Sequence, residues 1–183
     1  MAERGFALFD TAIGWCGIAW GERGIVGVQL PESHEQATRT RMQRRHPGLR
    51  ETAPPPAVQQ AIDDMVRLFQ GEPSNLAAVP LDMEPVAPFN QRVYAVARTI
   101  PPGQTLTYGE IAARIGEPRM SREVGQALGQ NPFSIIVPCH RVVAAGGKTG
   151  GFSARGGVAT KLRMLALEGA PTPQLLPLFD TPS

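Results

Sequence analysis

The chain of 183 residues has only two cysteines, Cys16 and Cys139, so at most one disulfide bridge can form. This excludes a disulfide-stapled secreted scaffold, and the two positions lack the paired spacing typical of a metal site. We therefore expect free thiols, a reducing compartment and no bound metal.

Long apolar runs are also absent. No stretch approaches the roughly 20 residues that span a bilayer, and residues 1–10 lack the basic and apolar regions of a secretory signal. The hydrophobic content of 42% is ample for a buried core. We expect a globular, cytoplasmic protein, in which we find no internal repeat and no extended low-complexity segment.

Charge is distributed unevenly. Residues 1–90 carry 8 Lys or Arg against 11 Asp or Glu, whereas residues 91–170 carry 10 against 4. The second half is the candidate surface for a polyanion, although such an excess also occurs on ordinary solvated surfaces. The basic run of Arg39, Arg41, Arg44 and Arg45 is interpreted as a solvated helix face, with contact to DNA as the alternative.

The first half predicts an α/β domain over residues 1–87. Apolar stretches separated by glycine turns predict a small antiparallel sheet, and helical spacing predicts two helices. A further strand and two prolines end this domain. The expected strands cover residues 6–9, 13–20, 24–30 and 76–83, and the expected helices cover residues 33–46 and 57–69.

The second half predicts a mainly helical domain over residues 88–170. A helix over residues 89–100 stops at prolines, and Thr107 with Glu110 forms a capping box that begins a helix ending at Gly116. Ser121 is predicted to cap another helix to Leu128, which completes a helix-turn-helix. A last helix covers residues 158–168, and the proline-containing residues 171–183 are expected to form a loose tail.

Cys139 is the candidate nucleophile. It follows Pro138 and precedes His140 and Arg141, where positive charge favours the reactive thiolate. Glu168 opposes the dipole of its helix, which suggests a function: to orient and charge His140, which takes the thiol proton directly or through water. The alternatives are a buried cysteine that packs as a small hydrophobe and an exposed glutamate at a frayed helix end.

The segment that runs from Asn131 to Val143, NPFSIIVPCHRVV, together with Thr107-Tyr108-Gly109-Glu110, resembles the O6-alkylguanine-DNA alkyltransferases, also called methylated-DNA–protein-cysteine methyltransferases. The resemblance is dense over residues 89–169. It implies a ribonuclease H-like N-terminal domain and a winged-helix-like C-terminal domain. It also implies a monomer that needs no cofactor and transfers an alkyl group irreversibly, once, from O6-alkylguanine or O4-alkylthymine in double-stranded DNA to Cys139.

The resemblance assigns roles to individual residues. Catalysis falls to Cys139, His140, Glu168, Asn131 and Tyr108, with Tyr108 also near the 3′ phosphate of the target. It assigns DNA binding to Ser121, Arg122, Gly125 and Gly129. Among these, Arg122 is expected to fill the gap left by the flipped nucleotide. The base pocket falls to Val142, Phe152, Ser153 and Lys161.

Some features depart from the family pattern or allow another interpretation. Phe152 stands where many relatives have Tyr, residues 154–155 lengthen a loop, and Glu123 places an acid beside Arg122. Glu123 either favours its helix N-terminus or repels phosphates. Gly125 and Gly129 allow close approach to a minor groove or merely tight helix packing.

Two rival functions are a non-catalytic lesion-binding protein, against which Cys139 argues, and a Cys-His hydrolase.

Overall fold

Three antiparallel strands begin the computed structural model, which describes residues 3–147 and 157–171. They are β1 (Gly5–Thr11), β2 (Gly14–Gly21) and β3 (Gly24–Gln29), in the order β1-β2-β3. The turn residues Gly14 and Gly24 have φ values of 117° and 125°, which side chains other than that of glycine rarely adopt. The predicted small antiparallel sheet is confirmed.

Two helices follow, α1 (Glu35–Arg45) and α2 (Pro56–Leu68), close to the predicted ranges. Helix α2 buries an apolar face at helical spacing against the core. Helix α1 packs on β2 through Met42, and a Cβ at Gly17 would lie 2.6 Å from the Met42 Sδ. Glycine at position 17 therefore lets the helix approach the sheet closely.

The predicted strand over residues 76–83 is wrong. Only Leu81 forms an isolated bridge to β3, where Ile25 N donates to Pro80 O at 2.9 Å. Pro80 has no N–H to extend a ladder. The carbonyls of Leu76 and Val79 accept hydrogen bonds from the Arg98 guanidinium, at 2.9 Å each. Arg98 therefore holds the first part of this segment, and a single bridge to β3 holds its end.

The second half is mainly helical, as predicted. It contains α3 (Pro88–Ala97), β4 (Leu106–Thr107), α4 (Tyr108–Arg114), α5 (Ser121–Gly129), β5 (Val142–Val143) and α6 (Val158–Leu167). The capping box is present, with Glu110 N donating to Thr107 Oγ1 at 3.0 Å. Helices α4 and α5 pack together across the short turn before Ser121. The parallel pair β4–β5, which aligns Leu106 with Val142, has no counterpart in the prediction.

Ser121 does not cap α5, so this prediction is wrong. Met120 occupies the cap position, and Ser121 is the first helical residue. Among the described residues, no side chain caps the α5 N-terminus by a hydrogen bond. An exposed position at a helix start lets water satisfy the backbone amides, so a serine there need not act as a cap.

One hydrophobic core extends through both halves of the chain. The same buried cluster contains Ile18 of β2, Val93 of α3 and Met164 of α6. A backbone hydrogen bond of 2.8 Å from Val28 of β3 to the carbonyl of Pro132 ties the sheet to the turn before Cys139. The described helices are all too short or too polar to cross a membrane. The predicted tail lies outside the described residues, apart from residue 171.

Candidate active site

Cys139 begins a single 3-10 turn (Cys139–Arg141) that leads into β5. It is a free thiol, 8% exposed, and it lines a groove of about 990 Å³. Cys16, the other free cysteine, is fully buried in β2, as predicted for a core residue. Of the two thiols, only that of Cys139 is therefore placed to meet a ligand.

The turn before Cys139 is shaped by Asn131. Its Nδ2 donates to Val137 O and its Oδ1 accepts from Phe133 N, both at 2.9 Å. Ile135 inside this turn has a φ of 75°, a strained conformation for a β-branched residue that costs about 1–3 kcal/mol. Asn131 also lies next to the Cys139 thiol, where its side chain opposes the rise in the thiol pKa that burial causes. Asn131 therefore supports the turn and lies beside the candidate nucleophile.

A buried charge cluster lies behind Cys139. Glu168 Oε1 is 2.6 Å from His140 Nε2, and the Glu168 carboxylate accepts two hydrogen bonds from Arg141, at 2.8 and 3.0 Å. The side chains of Glu168 and His140 are wholly buried, and that of Arg141 is 7% exposed. The alternative of an exposed glutamate at a frayed helix end is therefore wrong.

Arg141 is a site residue that the sequence prediction missed. Its Nη1 donates to Ile100 O at 2.7 Å, so the guanidinium joins Glu168 to the segment after α3. A carboxylate at the C-terminal cap of α6 is opposed by the helix dipole and by burial. The sequence held one signal for this role, the arginine next to His140, because a buried carboxylate needs a nearby cation to stay charged.

The protonation states in this cluster follow from its geometry. Burial alone would raise the pKa of Glu168, but at acid pH, where His140 is protonated, the charges and hydrogen bonds of His140 and Arg141 lower it to about 2. Burial lowers the pKa of His140 more than the Glu168 carboxylate raises it, so the ring is neutral at pH 7. Nε2 then carries the proton toward Glu168. Nδ1, which has no hydrogen-bond partner within residues 3–147 and 157–171, keeps its lone pair.

Cys139 is a protonated thiol at neutral pH, contrary to the effect that the sequence predicts. Burial raises the pKa of Cys139, although the Asn131 side chain and the positive charge of Lys161 act in the opposite direction. His140 is neutral and Arg141 is paired with Glu168, so neither neighbour in the sequence supplies the expected charge. The thiol therefore needs a base to become reactive.

Tyr108 and Lys161 complete the cluster around Cys139. The Lys161 ammonium lies 5.8 Å from the centroid of the Tyr108 ring, and burial lowers the pKa of Lys161 to about 8. Burial, and then the proximity of Cys139, raise the pKa of the Tyr108 phenol. Lys161 is thus a buried, mostly protonated cation beside the thiol and the phenol.

The groove extends from Cys139 along α5 to α1. Ser121, Arg122, Gly125 and Gly129 of α5 all line it, as does Tyr108. A Cβ at Gly125 would be 3.8 Å from the Tyr108 ring, and one at Gly129 would meet no described atom within 4 Å. Packing within the described chain therefore does not require glycine at either position.

Other predicted residues lie away from the groove or outside the description. Val142 is fully buried in β5, and neither it nor Glu123 is among the described residues that line the groove. Phe152, Ser153 and the loop over residues 154–155 lie outside the described residues. Within the described ranges, no three His, Cys, Asp or Glu residues form a group that could hold a metal ion.

Known proteins are similar to this chain over most of its length. The family model for the DNA-binding domain of 6-O-methylguanine DNA methyltransferase matches residues 88–170. A methylated-DNA–protein-cysteine methyltransferase of Mycobacterium bovis is 37% identical over 175 residues, which cover 96% of this chain and 98% of the relative. One from Methanothermobacter thermautotrophicus is 33% identical over 153 residues, or 84% of this chain and 78% of the relative.

Solved structures agree with this similarity. A crystal structure of Mycobacterium tuberculosis OGT in complex with DNA has a TM-score of 0.72 at 37% identity, and the match covers 91% of this chain and 95% of that one. The O6-methylguanine-DNA methyltransferase of Pyrococcus kodakaraensis has a TM-score of 0.68 at 23% identity, over 90% of this chain and 99% of that one. The second structure supports the fold alone.

The buried cluster around Glu168 makes the free energy of unfolding depend on pH. Because the folded-state pKa of Glu168 lies at about 2, below its ordinary 4.5, its charged form stabilises the fold above pH 4.5. That contribution is lost as pH falls from 4.5 toward 2, with a slope of up to about 1.4 kcal/mol per pH unit. Chemical denaturation at a series of pH values should show a shallower loss for Glu168→Gln than for the wild type.

The matched control is Glu72→Gln, which removes an exposed carboxylate. It should retain the wild-type slope over the same pH range. An unchanged slope in Glu168→Gln would mean that the Glu168 carboxylate gains nothing from its partners.

Proposed function

The chain belongs to the methylated-DNA–protein-cysteine methyltransferase family, and we propose that Cys139 is the residue to which it transfers an alkyl group from damaged DNA. The protein repairs DNA by direct alkyl transfer. The observation that supports Cys139 is its place in the wall of the groove, next to a neutral histidine whose other nitrogen is held by a carboxylate. Cys16 has neither feature.

The proposed reaction begins with proton transfer. The Cys139 thiol gives its proton to His140 Nδ1, directly or through a water molecule, and the imidazolium is stabilised by Glu168. The thiolate then attacks the alkyl carbon. An S–C bond forms as the bond from carbon to guanine O6 breaks, and the bond's electron pair remains on the guanine. No cofactor is needed, and the thioether ends the reaction after one turnover.

Arg141 and Asn131 act as positioning residues in this scheme. Arg141 keeps Glu168 ionised, so the carboxylate retains the charge that stabilises the imidazolium. Asn131 holds the strained turn and lies beside the thiol. Tyr108 lines the groove, and the Lys161 ammonium lies over its ring. We assign Tyr108 to guanine O6, and Lys161 to the support of Tyr108 as negative charge develops on the departing guanine.

The target base must leave the duplex before its O6 can meet Cys139. We assign Arg122, exposed at the start of α5 and lining the groove, to the gap in the base stack. Gly125 and Gly129 follow on the same helix, where small residues permit close approach to a minor groove. The space at both positions supports this role over tight packing within the chain.

Several finer assignments complete the proposal. A division between residues 87 and 88 is supported by the family match, which begins at residue 88. The N-terminal part is proposed to be ribonuclease H-like and the C-terminal part winged-helix-like. Two free cysteines favour the reducing cytoplasm, and we propose a monomer. Val142, Phe152 and Ser153 stay predictions for the base pocket, and O4-alkylthymine for a second substrate.

Replacing each cysteine in turn tests the acceptor. Cys139→Ser should abolish transfer from duplex DNA containing O6-methylguanine, because a hydroxyl is far less acidic than a thiol, while binding of that DNA persists. Cys16→Ser is the matched control, since Thr11 and Gly14 offer its hydroxyl hydrogen-bond partners. Intact mass after mixing should show one methyl group in the wild type and in Cys16→Ser.

Transfer by Cys139→Ser at the wild-type rate would remove Cys139 from the reaction. A Cys-His hydrolase would instead turn over an ester substrate repeatedly, without a stable mass change. A lesion-binding protein would bind the DNA and leave its methyl group in place.

Substitution of Arg122 separates base flipping from chemistry. Arg122→Ala should slow repair of duplex DNA strongly, yet react almost normally with free O6-benzylguanine, which needs no flipping. Arg122→Lys keeps the charge but loses the planar group that stacks on bases, so it should recover only part of the duplex rate. Single-turnover rates on the two substrates measure this.

Two outcomes would contradict the assignment. Full recovery by Lys, with a defect that shrinks at low salt, would make Arg122 a phosphate contact. Equal loss on duplex DNA and free base would place Arg122 in the chemistry or the fold.

A further inference from the structure

The groove that contains Cys139 has a second basic wall. Arg41 and Arg45 of α1 line it together with Arg122 of α5. The two α1 residues are one helical turn apart, so they share a face of the helix. No Asp or Glu is among the described residues that line this groove. The charged side chains among the described lining residues are therefore all positive, and they come from both halves of the chain.

Helix α1 is fixed in relation to the Cys139 turn. Between the two arginines, Met42 is fully buried against β2. Arg45 Nη1 donates to Gln29 Oε1 at 2.6 Å, and Gln29 also lines the groove. Gln29 ends β3, whose Val28 is hydrogen-bonded to the carbonyl of Pro132. The arginines are thus held beside the active-site turn by a short series of backbone and side-chain contacts.

The two arginines differ from their neighbour Arg39 in their partners. Arg39 forms ion pairs with Glu35 and Glu51. Within residues 3–147 and 157–171, neither Arg41 nor Arg45 has an acidic partner. The Arg41 and Arg45 side chains project from adjacent turns of one helix face. Two like charges therefore stand close together at the groove without a described counter-charge.

We propose that Arg41 and Arg45 bind phosphates of the DNA backbone, so that the N-terminal half supplies one wall of the DNA-binding surface. This inference rests on the proposed function, because it requires DNA in the groove. Arginine presents a planar set of donors that suits phosphate, and both side chains are exposed on a fixed helix. Contacts of this kind add affinity without reading sequence.

The test compares Arg41→Gln/Arg45→Gln with Arg44→Gln, which removes an exposed charge of the same helix from outside the groove lining. Binding of duplex DNA is measured in a Cys139→Ser background across salt concentrations. Loss of two phosphate contacts should reduce the slope of log K against log salt by about 1.8. Between about 50 and 200 mM salt, the background protein should then lose about tenfold more affinity than the double variant.

The free base O6-benzylguanine supplies the second readout, in proteins that retain Cys139. The double variant should react with it at the wild-type rate, since this substrate has no backbone. Salt slopes that match in the double variant and in Arg44→Gln would overturn the inference, because overall charge would then explain the effect. A loss of the free-base reaction would also overturn it. Failure of the wild type with both substrates would instead refute the proposed function.

Discussion

The buried ion pair between Arg141 and Glu168 is the interaction on which the site depends. Glu168 sits at the C-terminal cap of α6, where burial and the helix dipole both disfavour a negative charge. Two hydrogen bonds from Arg141 and one contact with His140 keep it ionised. Removal of one partner from such a buried pair typically costs about 3–5 kcal/mol. In the proposed reaction, this ion pair gives His140 a fixed orientation and a charge that stabilises its protonated form.

A second constraint comes from the turn before Cys139. Asn131 holds the strained backbone at Ile135, and Val28 of β3 binds the carbonyl of Pro132. The N-terminal sheet therefore supports the active-site turn from one side, while the ion pair supports it from the other. This arrangement explains how a half of the chain without catalytic residues still takes part in forming the groove.

The sequence predicts best what depends on local chemistry. The glycine turns of the sheet and the capping box at Thr107 are local devices, and both are confirmed. Residues 76–83 show a strand pattern, but they do not form a strand. Arg98, distant in the sequence, donates hydrogen bonds to the carbonyls of Leu76 and Val79. Ser121 looks like a cap but lies one residue inside its helix.

The candidate site likewise depends in part on contacts between residues that are distant in the sequence, which local patterns do not predict. The motif and the unfavourable acid at position 168 predict Cys139, His140 and Glu168 as candidate residues. The role of Arg141, however, depends on how α6 returns to the turn, and no local spacing encodes that. The protonation of Cys139 is likewise a matter of burial, which outweighs the adjacent charges. The place of α1 beside the groove follows from packing of both halves.

The pH dependence of Cys139 alkylation tests the central claim that the Glu168 carboxylate makes His140 the base for the thiol. The reaction of free O6-benzylguanine with the wild type should be fast at neutral pH, whereas Glu168→Gln should be slower by on the order of 10²-fold and recover only as pH rises toward the pKa of the thiol. Glu72→Gln should retain the wild-type profile. A Glu168→Gln profile that superimposes on that of the wild type would contradict the account.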